Sequence, residues 1–210
     1  MLSNWIQEKG ILAKLLEKGI KILIKKECKN IGAINIDIYA SSFQIIRGNI
    51  KKIYIIAKEI NYKDLLFDEI ELESNDVKNM FKINGRELNL RNDFIIKFKV
   101  SLSQNSLNKV LTSHSWHWIK QMISNEILNQ GSLEDININN NQIFIKSSED
   151  SRKLKSKEMI NLKAKEGKLF LENNAHKKSI KIPIEDKIYI KNVDIKNNLI
   201  NIYANSPISF

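Results

Sequence analysis

FQIIRGNIKKIYIIAKEINY, residues 43–62, contains the run Ile53-Tyr54-Ile55-Ile56-Ala57, which is apolar on both sides of any strand that holds it. In an extended chain Ile53 and Ile55 point to one face, and Tyr54 and Ile56 to the other. Such a run suits a strand pressed between two layers. Its neighbours alternate more strictly. AINIDIYAS (33–41) sets Ile34, Ile36 and Ile38 against Asn35, Asp37 and Tyr39. DEIELES (68–74) places Ile70 and Leu72 between Glu69, Glu71 and Glu73, and FIIKFKVSLS (94–103) opposes Ile96, Phe98, Val100 and Leu102 to Lys97, Lys99 and Ser101. Strict alternation marks half-buried strands with one wet face, hence an antiparallel sheet. Gly48 and the INGRE segment around Gly85 supply turns.

Two stretches change the period to that of a helix. In residues 4–28, Trp5, Leu12, Leu16, Ile20 and Leu23 share a face, while Lys14, Lys18, Lys21 and Lys25 mark another. Ser3 or Asn4 can cap this helix, Glu17 can pair with Lys21, and Lys25 and Lys26 suit its C-terminal dipole. An amphipathic helix of this kind packs on its own domain or lies on a membrane surface. The second stretch, 103–131, opens on Ser103 as a cap. Leu107, Val110 and Leu111 share a face that Trp118, Met122 and Ile123 continue, and Gly131 is the expected stop. TSHS (112–115) can interrupt it, because serine and threonine compete for backbone hydrogen bonds.

Alternation returns after residue 131 in shorter pieces: EDININ, NQIFIKS, MINLKAK, KLFLEN, SIKIPIED, KIYIKN and NLINIYA. The links at 139–141, 166–167 and 196–198 read as hairpin turns. Pro183 makes its strand an edge, and SSEDSRKLKSKE (147–158) reads as a flexible loop. The 210 residues form one domain: a helix (1–30), a first strand set (31–102), a helical region (103–130) and a second strand set (131–210).

Hydrophobic and charged contents of 42% and 28% are those of a folded globular chain, which argues against wholesale disorder. The net charge of +10 suits nucleic acid or an anionic membrane, although the lysines are scattered as on a solvated surface. A single cysteine, Cys28, excludes an intramolecular disulfide framework and a thiol metal cluster. No segment approaches the ~20 apolar residues of a membrane span, and the N-terminus does not read as a signal peptide. The expectation is a cytoplasmic protein working at the periphery of a membrane.

Catalytic signatures are thin. His114 and His117 are three apart, with no suitably spaced third ligand, and Glu126 lies too far along for HExxH geometry. There is no GxSxG elbow, phosphate-cradling glycine loop or CxxC. No catalytic residue, metal or cofactor is expected. In HSWHW (114–118), Trp116 and Trp118 sit two apart, so on a helix they point to different sides, one packed against the sheet and one outward.

Roughly ten strands each present an apolar face that two helical regions must cover. The sheet therefore curls around the helices, closes on itself, pairs with another chain or holds something greasy. SSFQIIRGNIKKIYIIAKEINYKDLLFDEIELES (41–74) resembles the signature stretch of the LmeA-like phospholipid-binding proteins, in their cyanobacterial branch. The matching elements are the run into Arg47-Gly48, then Ile50, Ile53, Ile55, Ala57, Ile60, Tyr62, the Leu65-Leu66 doublet, Ile70 and Leu72. SLSQNSLNKVLTSHSWHWI (101–119) is similar to that family's serine-led helix through Leu107-Asn108, Leu111, Ser113 and Trp116. The likeness covers residues 4–147, with the last third only loosely similar. It implies an α+β fold like that of the tubular lipid-binding (TULIP-like) superfamily: a curved antiparallel sheet wrapped around an N-terminal amphipathic helix and a central helix, with an apolar groove for acyl chains. The expected function is non-enzymatic binding or transfer of phospholipid at an anionic membrane surface. Leu12, Leu16, Phe98, Trp116, Trp118 and Met122 are expected to line or flank the groove, and Lys14, Lys18, Lys21 and Lys25 to meet the membrane. The alternative is a basic nucleic-acid- or protein-binding module without catalysis.

Overall fold

Pairing across the first strands follows the alternation residue for residue. One row runs Ile36, Ile55, Leu72, Phe98, Ala204, Ile190, and the row beside it runs Asn35, Ile56, Glu71, Lys99, Tyr203, Asn192. A one-residue slip would exchange the two faces, so burial of the first row fixes the register. The computed structural model describes residues 9–78, 81–84, 87–90, 94–128, 131–148 and 155–208. The chain runs α1 (Ile11–Glu27), β1 (Asn30–Tyr39), α2 (Ser42–Ile46), β2 (Ile50–Tyr62), β3 (Leu65–Val77), β4 (Phe81–Asn84), β5 (Glu87–Leu90) and β6 (Phe94–Ser103). Next come α3 (Gln104–Thr112), a 3-10 turn (His114–Trp116), α4 (His117–Glu126), β7 (Ser132–Asn139), β8 (Gln142–Ser148) and β9 (Lys155–Lys165). The last elements are β10 (Lys168–Asn173), β11 (Lys178–Lys181), β12 (Tyr189–Lys196) and β13 (Leu199–Ile208). The fold is α+β, with two large antiparallel sheets and few helices. A six-stranded sheet has the order β1-β2-β3-β6-β13-β12, a five-stranded sheet the order β11-β10-β9-β8-β7, and β4 and β5 pair as a separate hairpin.

α1 covers the β1–β2 end of the larger sheet. Leu12, Leu16, Ile20 and Ile24 pack against a core of Ala13, Ile36, Ile38, Ile45, Ile50 and Val77, whereas Leu23, expected on this face, is 64% exposed. The rest of that dry face meets α3, α4 and the second sheet in a core built on Leu111, Ile123, Ile127, Leu128, Ile143 and Ile200. The tight turns use left-handed backbone at Lys63-Asp64, Asn140-Asn141, Glu166-Gly167 and Asn197-Asn198. Three of these are the hairpin links expected from the sequence, and the conformation matches the right-handed twist of the strands they join.

Several expectations are corrected. α1 begins at Ile11, with Gly10 at its N-cap; Ser3, Asn4 and Trp5 lie outside the described residues, as does Gly85. Glu17 does not pair with Lys21. Its carboxylate turns toward the sheet, where it accepts from the Ile38 backbone N–H at 2.8 Å and meets Lys9 at 2.9 Å. α2 was not anticipated; a reciprocal capping box between Ser41 and Gln44 starts it. The second helical region breaks at Ser113, within the TSHS stretch expected to interrupt it, but α4 ends at Glu126, short of Gly131, because Ile127 and Leu128 turn into the core and are almost wholly buried. The run of residues 53–57 is not pressed between two layers: Tyr54 and Ile56 lie on the wet face, among Glu69, Glu71, Glu73 and Lys99. β11 is an edge strand but stops before Pro183. Of the expected loop at 147–158, residues 147–148 end β8 and 155–158 begin β9, and 149–154 lie outside the described residues. Among the described residues, no helix is long and apolar enough to cross a membrane.

Candidate functional site: an apolar cavity between the sheets

α3 and α4 wedge between the two sheets because their shared face is apolar while their polar side chains clamp a sheet edge. Asn108 donates to the Ile136 carbonyl at 2.9 Å and accepts from the Ile136 N–H at 2.8 Å. Gln104 accepts from Ile138 N–H at 2.9 Å, and the Ser124 hydroxyl from Leu133 N–H at 2.9 Å. Alternate backbone groups on the outer side of β7 are thereby satisfied by the helices, and the edge of the second sheet is covered. Held there, the helices aim Leu107, Val110, Leu111, Ile119 and Ile123 inward.

These side chains help to line a partly open cavity of about 230 Å3. Leu102, Ile200 and Ile202 form its wall on the larger sheet, and Ile143, Ile160 and Leu171 form it on the smaller one. Among the described residues, every one around it is Leu, Ile, Val or Phe. An apolar cavity of ~150 Å3 accepts benzene, so this one has room, by the same ratio, for roughly nine carbons. Beyond Leu102 on β6, Val100 and Phe98 continue the dry face toward α1. They and their neighbours Ile34, Ile70 and Leu72 stay half-buried, so the apolar surface extends past the cavity.

The opposite face of the larger sheet is a charged ladder around a groove of about 320 Å3. Glu71 accepts from Lys99 at 2.7 Å and from the Tyr54 hydroxyl at 2.9 Å. Lys99 chiefly, and Tyr54 after it, hold the Glu71 carboxyl below its usual range, and the same carboxylate pushes the Tyr54 phenol up. Lys52 meets Glu73 at 2.9 Å and Lys58 meets Glu69 at 3.4 Å. These are cross-strand pairs that stabilise the sheet.

The structure distributes the residues singled out from the sequence. Leu12 and Leu16 belong to the α1 core, away from the cavity. Phe98 packs with Leu169, Ile190 and Ala204 on the dry face, and Met122 packs against the core that surrounds the cavity. Trp116 and Trp118 do not point to opposite sides, because the helix is broken between α3 and α4; their ring centroids are 6.1 Å apart. The Trp116 indole N–H donates to the Lys63 carbonyl at 2.8 Å, which docks the turn at 113–116 on the β2–β3 hairpin. Ser115 adds a hydrogen bond to Asp64 at 2.8 Å. Trp118 is 40% exposed. Lys14, Lys18, Lys21 and Lys25 all stand in solvent on α1. His114 and His117 are exposed, and among the described residues no three of His, Cys, Asp and Glu converge as for a metal ion. Cavity residues from the second sheet, such as Ile143 and Ile160, were missed. Their alternation revealed a buried face but not what it faces.

Compared with known proteins, the chain matches no family model, no curated protein and no solved structure.

Proposed function

We propose that the protein binds acyl lipid without catalysis, sheltering part of a phospholipid's hydrocarbon chain and working beside an anionic membrane. The observation that carries this reading is the cavity between the sheets, lined among the described residues by aliphatic side chains and Phe67. About nine methylenes at ~0.8 kcal/mol each give roughly 7 kcal/mol gross, before the cost of ordering the chain. Hydrocarbon is what such a lining favours, because any polar ligand atom placed there would lack a hydrogen-bond partner. The half-buried residues from Leu102 through Phe98 supply a path along which a longer chain can lie. In this reading the larger sheet is the curved wall of a tubular lipid-binding fold, with α1 and the α3–α4 pair against its dry face. The likeness of residues 41–74 and 101–119 to the LmeA-like family belongs to the same proposal. Phe98 and Met122 then flank the chain, whereas Leu12 and Leu16 act only by seating α1.

Native mass spectrometry with lipid extraction, on protein purified under mild conditions, tests it. Co-purifying phospholipid or fatty acid, retained at high salt, is the expected result. Absence of lipid, together with failure to take up a fluorescent fatty acid, overturns it. Oligonucleotide binding that weakens steeply with salt would then favour the basic binding module instead.

A further inference from the structure

We propose that the outward face of α1, together with α2 beside its N-terminal end, is a docking surface for an anionic lipid bilayer. The inference deepens the reading above, on which it rests for the lipid class, but it stands on different residues. At ~100° per residue, Ile11, Leu15 and Ile22 fall within about 40° of one another, on the side opposite the packed Leu16, Ile20 and Ile24. They are 76%, 58% and 68% exposed. A core-facing helix has no use for that second apolar stripe.

Lysines flank it. Lys14, Lys18, Lys21 and Lys25 lie within about 60° of one another along one border, and Lys26 sits on the other. Among the described residues none of the five meets a carboxylate. The helix's own Glu17, which could have neutralised Lys21, is turned toward the sheet by Lys9 and the Ile38 N–H. α2 repeats the combination. Gly10 presses on it so closely that a Cβ there would lie 2.5 Å from the Ser42 hydroxyl oxygen. Ile45 anchors α2 in the core while Phe43 and Ile46 are each 60% exposed, and the Arg47 guanidinium stacks 4.1 Å from the centre of the Phe43 ring.

Aliphatic side chains bordered by unpaired ammonium groups are what an interfacial helix needs: the former enter the acyl boundary and the latter meet lipid phosphates. A nucleic acid would engage the lysines and leave Ile11, Leu15 and Ile22 in water. Charge and apolarity on one face together select the bilayer.

Co-sedimentation with vesicles of phosphatidylcholine, alone or mixed with phosphatidylserine, tests this on the full chain. The comparison is between the wild type, a triple variant I11S/L15S/I22S and a quadruple variant K14Q/K18Q/K21Q/K25Q. These positions face solvent, and circular dichroism with thermal melting verifies that each variant folds. The wild type should prefer the anionic vesicles, and each variant should partition at least about tenfold more weakly. Equal partition of wild type and folded variants overturns the inference, as does equal binding to neutral and anionic vesicles. A concentration-dependent dimer that the triple variant abolishes, without vesicle binding, overturns it in favour of a second copy. Uptake of a fluorescent fatty acid reads the cavity alone. Lost docking with retained uptake supports the surface, and absent docking with retained uptake defeats the surface while leaving the proposed function standing.

Discussion

Glu71 shows how one residue can belong to the wet face and still be structurally committed. It sits in the charged row between Ile56 and Lys99 and accepts hydrogen bonds from both Lys99 and Tyr54. Lys99 chiefly holds its carboxyl below the ordinary 4.5, so the unfolded chain binds a proton more readily than the folded one as pH falls. The stabilisation from Glu71 is therefore fully present above about pH 4.5 and disappears as the pH drops through the lower folded value. Melting temperatures of the wild type and Glu71→Gln should differ most near neutral pH and converge in acid. A gap that stays constant down the acid limb would show that the pairing contributes nothing pH-dependent. Cys28 differs in kind: burial first, and Glu27 second, pushes its thiol above the ordinary 9.0. Alkylation by iodoacetamide at mildly alkaline pH should run slower than for an unstructured cysteine, since less thiolate is available. A rate equal to the free thiol's would contradict that environment.

At the level of elements, the clamp between α3 and β7 is the joint on which the second sheet depends. Asn108 satisfies both backbone groups of Ile136, and Gln104 satisfies the N–H of Ile138. Asn108→Ala leaves two partly buried backbone groups without partners and should cost about 2 kcal/mol, read from the midpoint of urea unfolding. It should also raise aggregation, because the bared edge of β7 can pair with another chain. Asn108→Asp keeps the acceptor and loses the donor, so it should fall between. If Asn108→Ala unfolds like the wild type, the edge is held by packing alone. This joint also marks how far the sequence could be read. Local chemistry was legible: the alternation of 33–41 and 94–103, the hairpin links and the Ser103 cap all act within a few residues. The Ser41–Gln44 capping box was equally local, and its spacing would have revealed α2. The Asn108–Ile136 bond, spanning 28 residues, leaves no mark at its own position, since an asparagine on a helix looks the same whether it faces solvent or a sheet edge. Trp116 was misread for a related reason. Its direction depends on where the helix breaks, and the break is completed by the Lys63 carbonyl, 53 residues away in the chain.

On the scale of the whole molecule, the two sheets and the helical wedge decide whether the interior is filled or hollow. β12 packs beside β9 and β10, which closes one side of the layers, while α3 and α4 hold the other side apart at β7. Side chains of ordinary size then leave a gap beside the wedge, bordered on its sheet walls by residues whose alternation demanded a buried face. Val110 stands on α3 at the wall of this gap and is itself buried. Val110→Phe replaces cavity with ring, and the volume it fills is the volume an acyl chain would take. Filling a cavity commonly stabilises a protein by ~0.5–2 kcal/mol, whereas forcing a ring into a dense core costs ~1–3 kcal/mol. The variant should therefore melt at or above the wild-type temperature and take up fluorescent fatty acid at least about tenfold more weakly, a loss of ~1.4 kcal/mol. Its docking on anionic vesicles should be unchanged, because α1 and α2 are untouched. A variant that melts well below the wild type would show that the interior is densely filled. Stable folding with undiminished uptake would place the hydrocarbon elsewhere, along the half-buried surface formed by Val100 and Ile70 with Phe98 and Leu72, where Val100→Phe becomes the decisive substitution.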